Sequence, residues 1–217
     1  MEITYLGHSA FKLKGKQGIV VTDPYTNMVG FSMPAVTADI VTLSHDHPDH
    51  NNRLAVKPTA NREKVWVIKA AGEYEVGGIS VFGFESFHDD KKGADRGKNV
   101  VYTYVIDGVR IAHLGDLGHT LSDGFIERLG EIDVLLAPVG GKYTIGPDTA
   151  SEVIAAIEPS YVIPMHYKTD AHDEKTFGEL ATLADFEKAY GVTVEPVKSL
   201  TVTTATMPEQ TTLVVLQ

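Results

Sequence analysis

The chain has no cysteine among its 217 residues. That excludes disulfides, thiol nucleophiles and thiolate metal sites, so any metal must be held by imidazole nitrogen and carboxylate oxygen. It also lacks any hydrophobic run near the roughly 20 residues needed to cross a bilayer. Its start, Met1-Glu2-Ile3-Thr4-Tyr5-Leu6, has neither the basic nor the apolar region of a secretory signal and reads directly as a strand. The expectation is a cytoplasmic protein that does not span a membrane. Basic residues are scarce beside acidic ones, 19 against 29, for a formal charge of −10. That balance disfavours nucleic acid, whose binding depends on Lys and Arg replacing counterions along the phosphates, although bound divalent metal would add positive charge locally. No linker-like, repeated or low-complexity segment interrupts the sequence, so one domain over residues 1–217 is expected.

What is present reads first as strands. Residues 3–6, 10–14, 19–22 and 40–43 are short β-rich runs separated by Gly7, Gly15, Gly18 and Pro24. Residues 65–68, 79–84, 100–106 and 109–114 continue the pattern, with Asp107-Gly108 as a two-residue hairpin signal between the last two. After Leu114 the rhythm changes. Helices are expected at 122–129, capped by Ser122, at 147–157, opened by Pro147, and at 183–190, with strands at 134–137, 161–164 and 212–216. A β-rich first half followed by alternating helices and strands suggests an α/β fold, with two sheets packed together and helices outside, as in an αββα sandwich.

The histidines carry the chemistry. The apolar run Ile40-Val41-Thr42-Leu43 leads directly into Ser44-His45-Asp46-His47-Pro48-Asp49-His50-Asn51-Asn52. A buried strand thereby delivers three imidazoles and several carboxylate and amide groups into one loop. Neutral imidazole and carboxylate suit zinc, manganese and iron, and H-x-H-x-D-H at a strand end turns alternate side chains toward two adjacent centres. A merely solvated polar loop has no need of such clustering. Three more candidates, His88, Asp116 and His166, each sit where an apolar strand ends. Singly they read as an ordinary surface or core histidine or a turn aspartate. Together they mark strand-end loops that build one site.

The order H-x-H-x-D-H, a lone His, Gly-Asp, then a lone His after a short strand spans residues 45–166 and resembles the metallo-β-lactamase superfamily. Tyr5-Leu6-Gly7-His8-Ser9, Thr22-Asp23-Pro24, Pro138-Val139-Gly140-Gly141 and Val162-Ile163-Pro164-Met165-His166-Tyr167 are similar to the small metal-dependent hydrolases related to ascorbate phosphate lactonase. The resemblance implies an αββα sandwich of two mixed sheets and a cofactor of two divalent metal ions, zinc first, with manganese or iron as alternatives. It implies a first metal on His45, His47 and His88, a second on Asp49, His50 and His166, and Asp116 bridging. His47 stands where the related di-iron oxygen reductases carry Glu, which favours hydrolysis over redox chemistry, as does the lack of a recognisable flavin module.

Two such metals lower the pKa of bound water from about 15.7 toward about 7 and polarise a carbonyl or phosphoryl oxygen, so no nucleophilic side chain is required. The expected reaction is hydroxide attack on an ester-like bond of a small anionic lactone or phosphate ester, with Asp49 orienting the water as well as binding metal. His8, in a Gly-His-Ser turn, is a second catalytic candidate or a turn histidine bonded to backbone. Asp23 either bonds the second nitrogen of a ligand histidine or forms an Asp-Pro turn. His113 reads as structural; His119 reads as a loop histidine before a helix, or else as lining the pocket; His172, in a polar run, reads as facing solvent, or else its loop covers the pocket. Tyr167 touches substrate or packs; Arg96 or Lys98 captures an anion or stays solvated. The expected partner is a small-molecule substrate, and homo-oligomerisation stays open. A phosphodiesterase or nuclease of the same superfamily and a non-catalytic metal-stabilised binding protein are the competing readings.

Overall fold

The computed structural model describes residues 1–205 and 207–217. Apart from two single 3-10 turns at Asn27–Val29 and Arg53–Ala55, the regular elements of the first half are strands: β1 (Glu2–Gly7), β2 (Ala10–Lys14), β3 (Ile19–Thr22), β4 (Val36–Ala38), β5 (Ile40–Thr42), β6 (Val56–Pro58), β7 (Trp66–Ile68), β8 (Gly72–Val76), β9 (Ile79–Phe87), β10 (Lys98–Ile106) and β11 (Val109–His113). Helices then alternate with strands: α1 (Asp123–Leu129), β12 (Val134–Pro138), α2 (Pro147–Ile157), β13 (Tyr161–Met165), α3 (Glu174–Phe177), α4 (Leu183–Tyr190), β14 (Leu200–Thr201) and β15 (Thr212–Leu213). One sheet runs β14-β1-β2-β3-β5-β7 and a second β15-β13-β12-β11-β10-β9-β8, with β4 and β6 paired separately. Both large sheets are mixed, antiparallel where hairpins connect strands and parallel where β3, β5 and β7, or β11, β12, β13 and β15, lie side by side. The Asp107-Gly108 turn has both residues at positive φ, 54° and 80°, as a type I′ hairpin requires.

Period-two alternation explains the packing. Val100, Tyr102, Tyr104 and Ile106 of β10 point between the sheets against Phe11, Leu13, Val20 and Ile40. Val101 points the other way, into a second core shared with Phe125 and Leu129 of α1, Val153, Ile154 and Ile157 of α2 and Phe186 of α4. In α2 the buried Ala150, Val153, Ile154 and Ile157 follow the i, i+3, i+4, i+7 spacing of an amphipathic helix. Buried tyrosines need hydroxyl partners. Tyr104 Oη meets Thr42 Oγ1 at 2.7 Å and Tyr102 donates to the Leu43 carbonyl at 3.2 Å, which ties the core to the end of β5.

The cover is uneven. On the outer side of the first sheet, Val21, Val41 and Leu43 pack against Ala38 and Val56 of the two-stranded sheet rather than against an α-helix. The C-terminal strand expected at 212–216 is shorter, Thr212–Leu213, with Leu216 joined to Val197 by an isolated bridge. Ser122 occupies the N-cap of α1, but its hydroxyl makes no cap hydrogen bond; Pro147 opens α2 as expected. Among the described residues no helix is long and apolar enough to cross a membrane.

Candidate metal centre

The strand ends converge. In the first sheet β3 and β5 run parallel with Thr22 beside Thr42, so Asp23 and the loop from Ser44 to His50 leave the sheet together. In the second, β11, β12 and β13 run parallel and release Asp116, Gly140 and His166 at the same edge, while β9 ends at Phe87 just before His88. Hydrogen bonds from Thr26 N to the Pro48 carbonyl at 3.0 Å and from Asn52 N to the Pro24 carbonyl at 2.7 Å seat the histidine loop on the turn after Asp23. Close approach needs glycine at two places. A Cβ on Gly140 would lie 1.9 Å from the His166 carbonyl oxygen, and one on Gly115 would lie 2.3 Å from Asn99 Oδ1 and 2.6 Å from Ser44 Cβ.

All seven ligand candidates meet there. His45, His47 and His88 form one group of converging donors, and Asp49, His50 and His166, with His8, form another. Asp116 lies between them: its Oδ2 is 3.2 Å from Nε2 of His50 and of His88, 3.3 Å from Nε2 of His166 and 3.8 Å from Nε2 of His45. His8 Nε2 is 3.3 Å from Asp49 Oδ2.

Asp23 organises both groups. Its Oδ2 accepts from Ser44 Oγ at 2.5 Å and from His50 Nδ1 at 2.9 Å. Ser44 Oγ has one hydrogen, given to Asp23, so at 2.9 Å it accepts from His45 Nδ1. Nε2 is then the free lone pair on both His45 and His50, the arrangement that a carboxylate behind a ligand histidine produces. Burial alone would raise the Asp23 carboxyl, but the His50 hydrogen bond and the His113 imidazole bring it below its ordinary value. The carboxylate expected to support a ligand histidine is therefore in place.

These residues fit a cation. Nε2 of His45, His50 and His166 and Oδ1 of Asp116 are buried with no hydrogen-bond partner, a cost that metal coordination removes. Burial, helped by His50, pushes the His45 imidazole down to about 3, and burial with His166 does the same to His8, so both are neutral at pH 7. Neutral imidazole is the ligating form. Against burial, Asp116 and Asp49 pull His50 well above its ordinary value, which marks a place where positive charge is favoured. Asp116 itself stays well below the carboxylate range in spite of burial because His166 and His50 face it.

A family model described as a β-lactamase superfamily domain matches residues 2–166. The chain belongs to the metallo-β-lactamase superfamily. It is 31% identical over 191 residues to a UPF0173 metal-dependent hydrolase of Korarchaeum cryptofilum, covering 78% of this chain and 84% of the relative. A UPF0173 metal-dependent hydrolase of Desulforamulus reducens is 30% identical over 195 residues, covering 78% and 85%. A crystal structure from Thermotoga maritima, described as a Zn-dependent hydrolase of the metallo-β-lactamase superfamily, superposes with a TM-score of 0.80 at 38% identity over 99% of this chain and 97% of that one. The present chain is a metal-dependent hydrolase with the metallo-β-lactamase fold.

The remaining candidates in this superfamily member fall into place with one correction. His172 does not face solvent: it is 6% exposed, and its Nε2 is 3.2 Å from His8 Nδ1. Phe31 and Phe177 pack edge-on against its ring, closing a polar segment over the site. His113 is structural, bonding the Ser9 carbonyl through Nε2 at 2.8 Å and accepting from Gly115 N. His119 stays in its loop, with Nδ1 2.6 Å from the Thr120 carbonyl. Tyr167 packs in the helix-side core. Arg96 Nη1 donates to the Lys142 carbonyl at 2.8 Å and its guanidinium lies over the Tyr143 ring. That guanidinium borders two clefts of about 400 Å³ on either side of His47. Lys98 pairs with Glu85 at 3.0 Å in one of them.

Proposed function

We propose that this hydrolase is binuclear and cleaves an ester-like bond, a lactone or a phosphate ester, in a small anionic substrate. The observation that carries the reading is the pair of three-donor groups meeting at Asp116. One ion is assigned to His45, His47 and His88 and the other to Asp49, His50 and His166, with Asp116 shared and zinc the first choice among zinc, manganese and iron. Bound there, divalent metal supplies Lewis acidity and lowers the pKa of water toward about 7.

The chain's own residues do the rest. Asp49, 14% exposed at its side chain, reaches the cleft and orients the attacking water. Asp23 holds His50 directly and His45 through Ser44, so the donor set needs little reorganisation. Arg96, fixed by Lys142 and Tyr143, receives the substrate's anionic group, and Lys69 lines the adjoining cleft, where Glu85 offsets the charge of Lys98. A guanidinium held at the cleft supports an anionic small molecule in a chain of net charge −10.

Elemental analysis of the purified protein should return about two equivalents of zinc, manganese or iron per chain. Lactones and phosphomonoesters should be hydrolysed, and a chelator should abolish turnover. Full activity with a single equivalent, or no metal after reconstitution, overturns the binuclear reading; cleavage of RNA in preference to small esters overturns the substrate class.

A further inference from the structure

The segment that closes over the site fixes where hydrogens sit. Thr169 N approaches His172 Nδ1 at 3.1 Å, and Thr169 Oγ1 lies 2.8 Å from the same nitrogen. A backbone amide only donates, so His172 Nδ1 carries a lone pair and the ring hydrogen is on Nε2. That Nε2 faces His8 Nδ1 at 3.2 Å, which must accept. The His8 hydrogen is then on Nε2, 3.3 Å from Asp49 Oδ2, and a carboxylate oxygen only accepts. Every link forces the next, and both rings are neutral because each accepts a hydrogen bond at Nδ1.

We infer that Thr169, His172 and His8 form a positioning chain ending on Asp49. Distance alone would admit His8 as a metal ligand, since its donor atoms converge with those of Asp49, His50 and His166. The tautomer decides otherwise, because the only His8 nitrogen facing Asp49 carries the hydrogen. His172 is therefore a positioning residue that sets His8 to donate to Asp49 and so fixes the carboxylate's direction. The rings of Phe31 and Phe177, with centroids 5.1 and 5.5 Å from that of His172, lock the relay in place. The assignment of Asp49 to a metal rests on the proposed binuclear centre; the tautomers do not.

Nitrogen-15 imidazole spectra of the full-length protein, zinc-loaded and after chelation, test the chain. Both His172 and His8 should be Nε2–H tautomers in both states. His8 found as Nδ1–H, or with a zinc-dependent shift at Nε2 that marks ligation, overturns the inference whatever the metal content. The expected tautomers in a protein that binds no zinc would uphold the hydrogen-bond chain while removing the binuclear reading. His172→Leu keeps bulk but deletes the donor, and should lower kcat by about 10- to 100-fold with KM within about twofold, the range for lost support behind a metal ligand. His172→Gln, which returns an N–H to the same place, should recover most of that loss. Equal impairment in the two variants would reduce His172 to a packing residue and overturn the role.

Discussion

His45, His47 and His88 border the clefts, whereas His50 and His166 have no exposed surface and stand behind them. The two donor groups also differ in support. In the outer group the identified second-nitrogen contact is Ser44 on His45, with His88 Nδ1 buried and unpaired. In the inner group Asp23 holds His50, His8 holds Asp49, and the His8 carbonyl accepts from His166 N at 2.9 Å, while His166 Nδ1, like His88 Nδ1, is buried and unpaired. The cleft wall thus carries His45, His47 and His88 together with Asp49, whereas His50 and His166 are enclosed behind them among buried polar contacts. On the proposed function, this contrast teaches that geometry is set from behind and access from in front.

The sharpest way to break that division is to remove what both sides share. Asp116→Ala should cut the metal content from about two equivalents to one or none and lower kcat/KM by on the order of 1000-fold, the scale of losing one metal's charge stabilisation. Retention of two metals would end the two-group description. Asp23→Asn comes next. It leaves His50 Nδ1 facing an amide and unseats Ser44, so titration calorimetry should show weaker binding in both groups by about 10- to 100-fold. A loss confined to one group would show that Ser44 orients His45 without Asp23.

Acid should act on both groups, through His8 beside Asp49 and through His45 beside Ser44. Ordinary imidazole titrates at 6.5, whereas His8 and His45 titrate at about 3 in the fold. Between these values the unfolded chain binds more protons, so stability is complete above pH 6.5 and falls as pH drops toward 3. The raised His50 has the opposite sign and offsets part of the loss. Unfolding free energies of the chelated protein from urea titrations, followed over this window, should fall by on the order of a few kcal/mol, and His8→Gln should flatten the slope. The smallest effect belongs to the front: Arg96→Ala should raise KM for anionic esters about tenfold, as loss of a charged hydrogen bond does, while leaving KM for a neutral lactone within about twofold. An equal rise for both would place Arg96 in loop packing instead.

The site was legible in the sequence to the extent that its parts announce themselves locally. The loop of His45 to His50 follows a β-branched strand, and His88, Asp116 and His166 each follow an apolar run, so strand ends and residue type sufficed to assemble them. Asp23 was half recognisable, as a strand-end carboxylate that either supports a histidine or makes an Asp-Pro turn; the parallel pairing of β3 with β5, which brings it beside the histidine loop, was not in the sequence pattern. His172 was not. Thr169-Asp170-Ala171-His172-Asp173-Glu174 has the composition of a solvated turn, and its burial arises from Phe31 and Phe177, rings distant from one another in the chain. The same limit hid β4, β6 and β14, whose two or three residues acquire strand character only from partners elsewhere. The core strands, buried on one or both faces, declared themselves by their apolar alternation.

His8, Asp23 and His166 sit at φ values of 55°, 38° and 55°, where residues with a Cβ are strained by about 1–3 kcal/mol each. Glycine would adopt these angles freely, yet glycine has nothing to offer a metal or a carboxylate. Glycine there would relieve that strain but would empty buried space and strand the hydrogen-bond partners of His8 and Asp23, a larger cost than the strain returned, so packing and polar contacts hold these angles in place. His8→Gly and Asp23→Gly should therefore melt earlier than the parent chain in spite of their relaxed backbones.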